Sequence, residues 1–139
     1  MTIKKGEVLL TRREVFSASH RLICEHLSEE ENLKKFDKCT RIHGHNYTIE
    51  VTLKGIPNPE DGMIMNLHKL RDIIRDTVIS KVDHHFINED IEEFKSTHIP
   101  STENMAITFW AWLEPYFPIG TLYKIKLIET ENNWVEFYG

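Results

Sequence analysis

The clearest pattern in the chain is the alternation from Tyr47 to Lys54, where Tyr47, Ile49, Val51 and Leu53 interleave with Thr48, Glu50, Thr52 and Lys54. A period of two is that of a strand with one buried face. Carrying the register backwards puts His43 and His45 on the apolar face. Val8 to His20 also reads as a strand. Glu14, Phe16, Ala18 and His20 share one of its faces and Val15, Ser17 and Ser19 the other, so both faces are mixed. Pro57, Pro59 and Asp61-Gly62 mark a turn-rich connection. Met63-Ile64-Met65 is expected to return from it as a short strand, making a hairpin. Thr121 to Thr130 is a further strand, with Tyr123, Ile125, Leu127 and Glu129 on one face, and Trp134 to Tyr138 closes the sheet after the Glu131-Asn132-Asn133 turn.

Helical spacing appears in two places. Leu67, Leu70, Ile73, Ile74 and Val78 form an apolar stripe behind Asn66, a helix cap, with Lys69, Arg71, Asp72, Arg75 and Asp76 on the wet side. Pro100-Ser101-Thr102-Glu103 starts a second helix. Met105, Phe109, Trp112, Leu113 and Tyr116 supply its apolar side, and Pro115 and Pro118 end it. Ser28 with Glu31 three residues on is a capping-box pattern for a short helix or ordered loop. Val82 to Phe86 reads as non-repetitive. Hairpin-linked strands with grouped helices predict an α+β fold with an antiparallel sheet.

A length of 139 residues suits one domain with a real core, and 40% hydrophobic with 28% charged residues is ordinary globular composition. The net charge of -5 argues against a general nucleic-acid or anionic-membrane surface. The apolar runs are too short for a membrane span or a signal-peptide core. Cys24 and Cys39 do not make a disulfide framework, so reduced thiols and a cytoplasmic location are expected.

The stretch Cys39-Thr40-Arg41-Ile42-His43-Gly44-His45-Asn46-Tyr47 brings together a thiol and two imidazoles. His43 and His45, one residue apart in an extended segment, point the same way and offer half of a zinc site. His20, at the end of a strand that can pair beside them, is the best third ligand. Three histidines describe an open site whose vacant position takes substrate hydroxyls. Cys39 is then either a fourth, structural ligand or a general base. Asp83-His84 sets a carboxylate beside an imidazole in a loop. Glu129 occupies the apolar face of its strand, where an unpaired carboxylate is costly. It pairs either with an amide- or guanidine-like ligand edge or in a buried salt bridge. His26, His68 and His98 fall on polar or loop positions and are expected to be solvated. His43-x-His45 with Glu50 is similar to the metal motif of cupin barrels, but Glu50 lies on the opposite strand face and the Gly-rich pattern is missing.

Together these residues resemble the 6-pyruvoyltetrahydropterin synthase family, which includes the 6-carboxytetrahydropterin synthases of queuosine biosynthesis. Phe16-Ser17-Ala18-Ser19-His20-Arg21-Leu22 and His43-Gly44-His45-Asn46-Tyr47 resemble its two zinc-ligand motifs. Gly62-Met63-Ile64-Met65-Asn66, Val82-Asp83-His84-His85, Ser101-Thr102-Glu103-Asn104 and Glu129-Thr130-Glu131-Asn132-Asn133 resemble further signatures in order. The resemblance implies a T-fold over residues 1–139: an antiparallel four-stranded sheet with two helices on one face. It implies a homohexamer, a dimer of trimers with active sites between subunits, and Zn2+ on His20, His43 and His45. It makes Cys39, Asp83, His84 and Glu129 catalytic, with Cys39 as base and Asp83 and His84 completing its relay. Glu129 would also hold the pterin ring of 7,8-dihydroneopterin triphosphate, with Thr102 and Ser101 nearby.

Three residues separate Cys39 from His43, a spacing that resembles the 6-carboxy enzymes. The expected products are therefore 6-carboxy-5,6,7,8-tetrahydropterin, acetaldehyde and triphosphate. Leu27 to Lys38 instead resembles the pyruvoyl members, which makes 6-pyruvoyltetrahydropterin the alternative product. A non-catalytic pterin- or zinc-binding module is a second alternative. Whether Arg12, Arg13, Arg41 or a lysine holds the triphosphate is left open.

Overall fold

The computed structural model describes residues 2–95 and 98–139. Its centre is one sheet in the order β3-β1-β2-β4-β5. The strands are β1 (Val8–His20), β2 (His43–Gly55), β3 (His85–Phe86), β4 (Leu122–Thr130) and β5 (Asn133–Phe137). β1, β2, β4 and β5 pair antiparallel in turn, as hairpin-rich patterning predicts. The sheet has five strands rather than four, because β3 adds two residues in parallel against Ala18 and Ser19. The segment expected to be non-repetitive thus includes a strand. The backbone N–H of His84 donates to the Ser17 carbonyl at 2.6 Å and steers the chain onto that edge.

The helices are α1 (Glu29–Phe36), α2 (Leu67–Ile74), α3 (Ser80–Val82), α4 (Ile87–Asp90) and α5 (Thr102–Leu113). A wide π turn, Arg75–Ile79, joins α2 to α3 and buries Thr77 and Val78. Asn66 caps α2 through the N–H groups of His68 and Lys69, and Ser101 caps α5 through that of Asn104. Ser28 caps α1 by accepting from the Glu31 N–H at 3.1 Å, and its hydroxyl donates to Glu31 Oε1 at 3.2 Å, so the residues of the predicted capping box do meet.

Leu70, Ile74 and Val78 pack with Met105, Phe109 and Leu113 in one core with Phe16, Tyr47, Ile49, Val51, Ile125 and Leu127 of the sheet. Each such side chain contributes about 1.5–3 kcal/mol by leaving water. Trp110, not expected on the apolar side of α5, is buried there, whereas Tyr116 is exposed.

Two further sequence expectations fail. Met63-Ile64-Met65 is not a strand. Both edges of β2 are already taken by β1 and β4, and the connection curls instead on the Asn58 carbonyl and the Asp61 carboxylate. Tyr123 does not share the face of Ile125 and Leu127, because the register between β2 and β4 slips at that point and turns Leu122 inward. None of the helices is long and apolar enough to cross a membrane among the described residues.

Candidate active site

Strand pairing assembles the site. The β1–β2 register sets His20 opposite His43 and Ala18 opposite His45, so all three imidazoles leave one face at one end of the sheet. Their ring centroids lie 4.6, 5.3 and 5.1 Å apart. One ligand nitrogen from each falls within 4.8 Å of the others, the scale of a single coordination sphere. Gly44, between the two β2 histidines, allows the close crossing. A Cβ there would sit 3.2 Å from the Ala18 carbonyl oxygen.

The hydrogen bonds favour metal binding. His20 Nδ1 lies 2.7 Å from the Pro100 carbonyl, and His43 Nδ1 lies 2.7 Å from that of Arg41. A carbonyl only accepts, so both Nδ1 atoms carry a proton and each Nε2 is left as the atom that offers a lone pair in the neutral ring. His45 Nε2 is buried with no hydrogen-bond partner. A carboxylate oxygen of Glu129 stands 3.8 Å from both His20 Nε2 and His45 Nε2, too far to satisfy either. Burial lowers the pKa of His20 and of His45 below the ordinary imidazole value, with the Pro100 carbonyl opposing it at His20 and the Glu129 charge at His45. Three converging imidazoles, one with an orphaned buried nitrogen, form a triad that could hold a metal ion.

Cys39 sits on a 3₁₀ turn, Asp37–Thr40, anchored where the Leu22 N–H donates to the Cys39 carbonyl at 2.8 Å. Its side chain lines the same cavity of about 620 Å3 as His20, His43, His45 and Glu129. That volume suits a small-molecule ligand. Glu129 is held by Thr102, whose Oγ1 donates to Glu129 Oε2 at 2.6 Å. Ser101, also expected at the substrate, spends its hydroxyl as acceptor for the α5 N-terminus.

Asp83 and His84 lie elsewhere. Asp83 accepts from the Ser17 N–H at 2.9 Å, which lowers its pKa, and lies 3.0 Å from His84 Nδ1. His84 has a φ of 63° and is exposed on a groove lined by Ser17, Ser19 and Asn46, which shares only His45 with the cavity among the described residues. Within one chain, the pair does not line the cavity that contains Cys39. His26, His68 and His98 are exposed, as expected.

Sequence reasoning overlooked Tyr47 as a site residue. It reads as a core strand residue, yet its hydroxyl lies 3.4 Å from His20 Nε2, and burial raises its pKa. Its signal was its place in register with His43 and His45.

Comparison with known proteins shows the family and the fold. Residues 9–139 match the family model described as 6-pyruvoyl tetrahydropterin synthase. The 6-pyruvoyl tetrahydrobiopterin synthase of Dictyostelium discoideum is 46% identical over 132 residues, spanning 95% of this chain and 96% of that protein. The human protein of the same name is 41% identical over 138 residues, spanning 98% and 94%. The structure of Caenorhabditis elegans 6-pyruvoyl tetrahydropterin synthase superposes with a TM-score of 0.90 at 36% identity, covering 99% of both chains. The fold is therefore the expected T-fold.

These relatives overturn the expectation of a 6-carboxytetrahydropterin product and the queuosine pathway. The Cys39–His43 spacing measures only the length of a connection, and the 3₁₀ turn brings Cys39 to the cavity within it. Similarity over nearly the whole chain, including the α1 segment that resembles the pyruvoyl members, outweighs that one spacing. The chain belongs to the 6-pyruvoyl tetrahydropterin synthase family of lyase-type enzymes.

Proposed function

We propose that this protein is a 6-pyruvoyltetrahydropterin synthase, converting 7,8-dihydroneopterin triphosphate to 6-pyruvoyltetrahydropterin and triphosphate in tetrahydrobiopterin formation. The observation that carries the reading is the convergence of the His20, His43 and His45 triad, Cys39 and Glu129 on one cavity, in a chain over 40% identical to proteins named 6-pyruvoyl tetrahydrobiopterin synthase.

His20, His43 and His45 would hold Zn2+, the ion that suits three neutral imidazoles with an open position. The ion would supply Lewis acidity toward side-chain hydroxyls. Glu129, braced by Thr102, binds the N–H edge of the pterin ring and sets its side chain against Cys39. Cys39 removes a proton from a carbon bearing a hydroxyl. The electron pair left behind expels the triphosphate as its C–O bond breaks, and further proton shifts carry the redox change from the side chain to the ring. Reduction of the ring balances oxidation of the side chain, so no external oxidant or reductant enters.

Asp83 and His84 fit this chemistry as a relay to Cys39 of a second subunit, because within one chain neither lines the cavity that contains Cys39. Residues 1–139 then act as one domain in a homohexamer, a dimer of trimers with sites between subunits, in the cytoplasm. Incubating the zinc-loaded protein with 7,8-dihydroneopterin triphosphate tests the reading. A pyruvoyl product with stoichiometric triphosphate is expected. Release of acetaldehyde, or no turnover, would overturn it.

A further inference from the structure

The turn that carries Cys39 and the residue that caps it carry two cations. Lys38 and Arg41 are joined by the Arg41 N–H donating to the Lys38 carbonyl at 3.0 Å. Lys38 lies within the 3₁₀ turn and Arg41 is its extended C-terminal cap, so an ammonium and a guanidinium flank Cys39 in the chain. Both line the cavity shared by the histidine triad and Cys39. Neither side chain has an ion pair or hydrogen bond among the described residues. Of the other arginines, Arg21 lies outside this cavity with its Nε buried and unpaired, and four are already engaged. Arg12 and Arg75 share Glu14, at 2.8 and 2.9 Å. Arg13 donates to Glu50 at 2.9 Å, and Arg71 to Asp72 at 3.0 Å.

The cavity is polarised as a result. Glu129 is its only lining carboxylate among the described residues, and it approaches His20 and His45. The opposite end of the triad, His43, is tied to the Arg41 carbonyl at 2.7 Å. Two adjacent like charges without a counter-ion repel, and an anion relieves that cost. A guanidinium fork with an ammonium beside it suits phosphate oxygens.

We propose that Lys38 and Arg41 form the polyphosphate subsite, which holds the triphosphate of the substrate at the Cys39 turn while Glu129 holds the ring. This rests on the pterin triphosphate reading. It orients the substrate along the cavity, with the ring at β4, the reacting side chain at the triad and thiol, and the leaving group at the turn.

The test compares zinc-loaded wild type with Lys38→Ala, Arg41→Gln and the double variant. Lys34→Ala, on the exposed last turn of α1 and outside the cavity, is the control. Calorimetry with inorganic tripolyphosphate is the first readout, and steady-state kinetics with 7,8-dihydroneopterin triphosphate the second. Each single change is expected to weaken tripolyphosphate binding roughly tenfold and the double change roughly a hundredfold. KM should rise more than kcat falls, with metal content and affinity for unphosphorylated dihydroneopterin unchanged. Unaltered tripolyphosphate binding in the double variant, or none in the wild type, would overturn the subsite. Loss of tripolyphosphate binding in the variants of a protein that does not turn over the pterin would leave the subsite standing and remove the pterin reading.

Discussion

Thr102 Oγ1 donates to Glu129 Oε2 at 2.6 Å, tying the first residue of α5 to the end of β4. One oxygen of Glu129 is thereby occupied and the side chain is held in one rotamer, although 23% of it is exposed. Hydrogen bonds to charged groups contribute about 1.5–3 kcal/mol, and partial solvation places this one near the lower end. Thr102→Val, which keeps the shape and removes the donor, should raise KM for the pterin roughly tenfold with metal content unchanged. Thr102→Ser should restore most of it. Equal KM in Thr102→Val and wild type would show that Glu129 needs no brace.

Cys39→Ala separates the roles of the thiol. As a proton-transferring base, its loss should cut turnover by roughly 10²–10⁴-fold with full zinc occupancy. A parallel fall in zinc content would instead make Cys39 a structural ligand. Mixing Cys39→Ala with His84→Asn subunits by unfolding and reassembly should recover part of the activity, because some interfaces regain an intact thiol and relay. No recovery would argue that each chain uses its own pair.

Metal content should follow the triad. His43→Ala, at a partly exposed position, is expected to fold yet lose most bound zinc by elemental analysis. Chelation of the wild type should lower its melting temperature, since an ion at about a thousand times its Kd stabilises by about 4 kcal/mol. A chelator-treated protein with an unchanged transition would separate the triad from metal binding.

The metal-free protein should be acid-sensitive near neutrality. Burial lowers the pKa of His20 and His45 from 6.5. As pH falls through that value, the unfolded chain takes up protons that the folded chain refuses. Stability is therefore full above about 6.5 and declines toward the lower folded-state values. Asp83, also lowered but in the carboxylate range, contributes only at more acid pH. Melting temperatures of zinc-free protein should fall between pH 7.5 and 5.5, and less steeply in His45→Gln. A flat profile would contradict the burial argument.

Asn32 should act as a structural keystone for the segment between β1 and α1. Its buried amide accepts from the Cys24 N–H at 2.7 Å and donates to the carbonyls of Cys24 at 2.9 Å, Leu27 at 3.2 Å and Ser28 at 3.1 Å. Asn32→Ala strands these groups and should cost about 2–3 kcal/mol in chemical denaturation. A loss below about 0.5 kcal/mol would mean that water replaces the amide.

Periodicity alone was enough for β2, because an apolar face against the core demands a period of two whatever lies around it. Local capping likewise made Ser28, Asn66 and Ser101 readable from the sequence, since a cap is satisfied within three residues. His43 and His45 were legible as a pair for the same reason. Their union with His20 was a matter of register, in which His20 faces His43 and Ala18 faces His45. Tertiary structure alone decided that Met63-Ile64-Met65 could not be a strand, that Tyr123 falls at a slip in the ladder, and that Asp83 and His84 stay outside the cavity of Cys39. Each of these depends on which strand edge is already occupied or which face a distant segment reaches. No short stretch encodes such facts. The residues able to do the chemistry are thus written locally in this chain, while the distances at which they meet are set by strand pairing across the sheet.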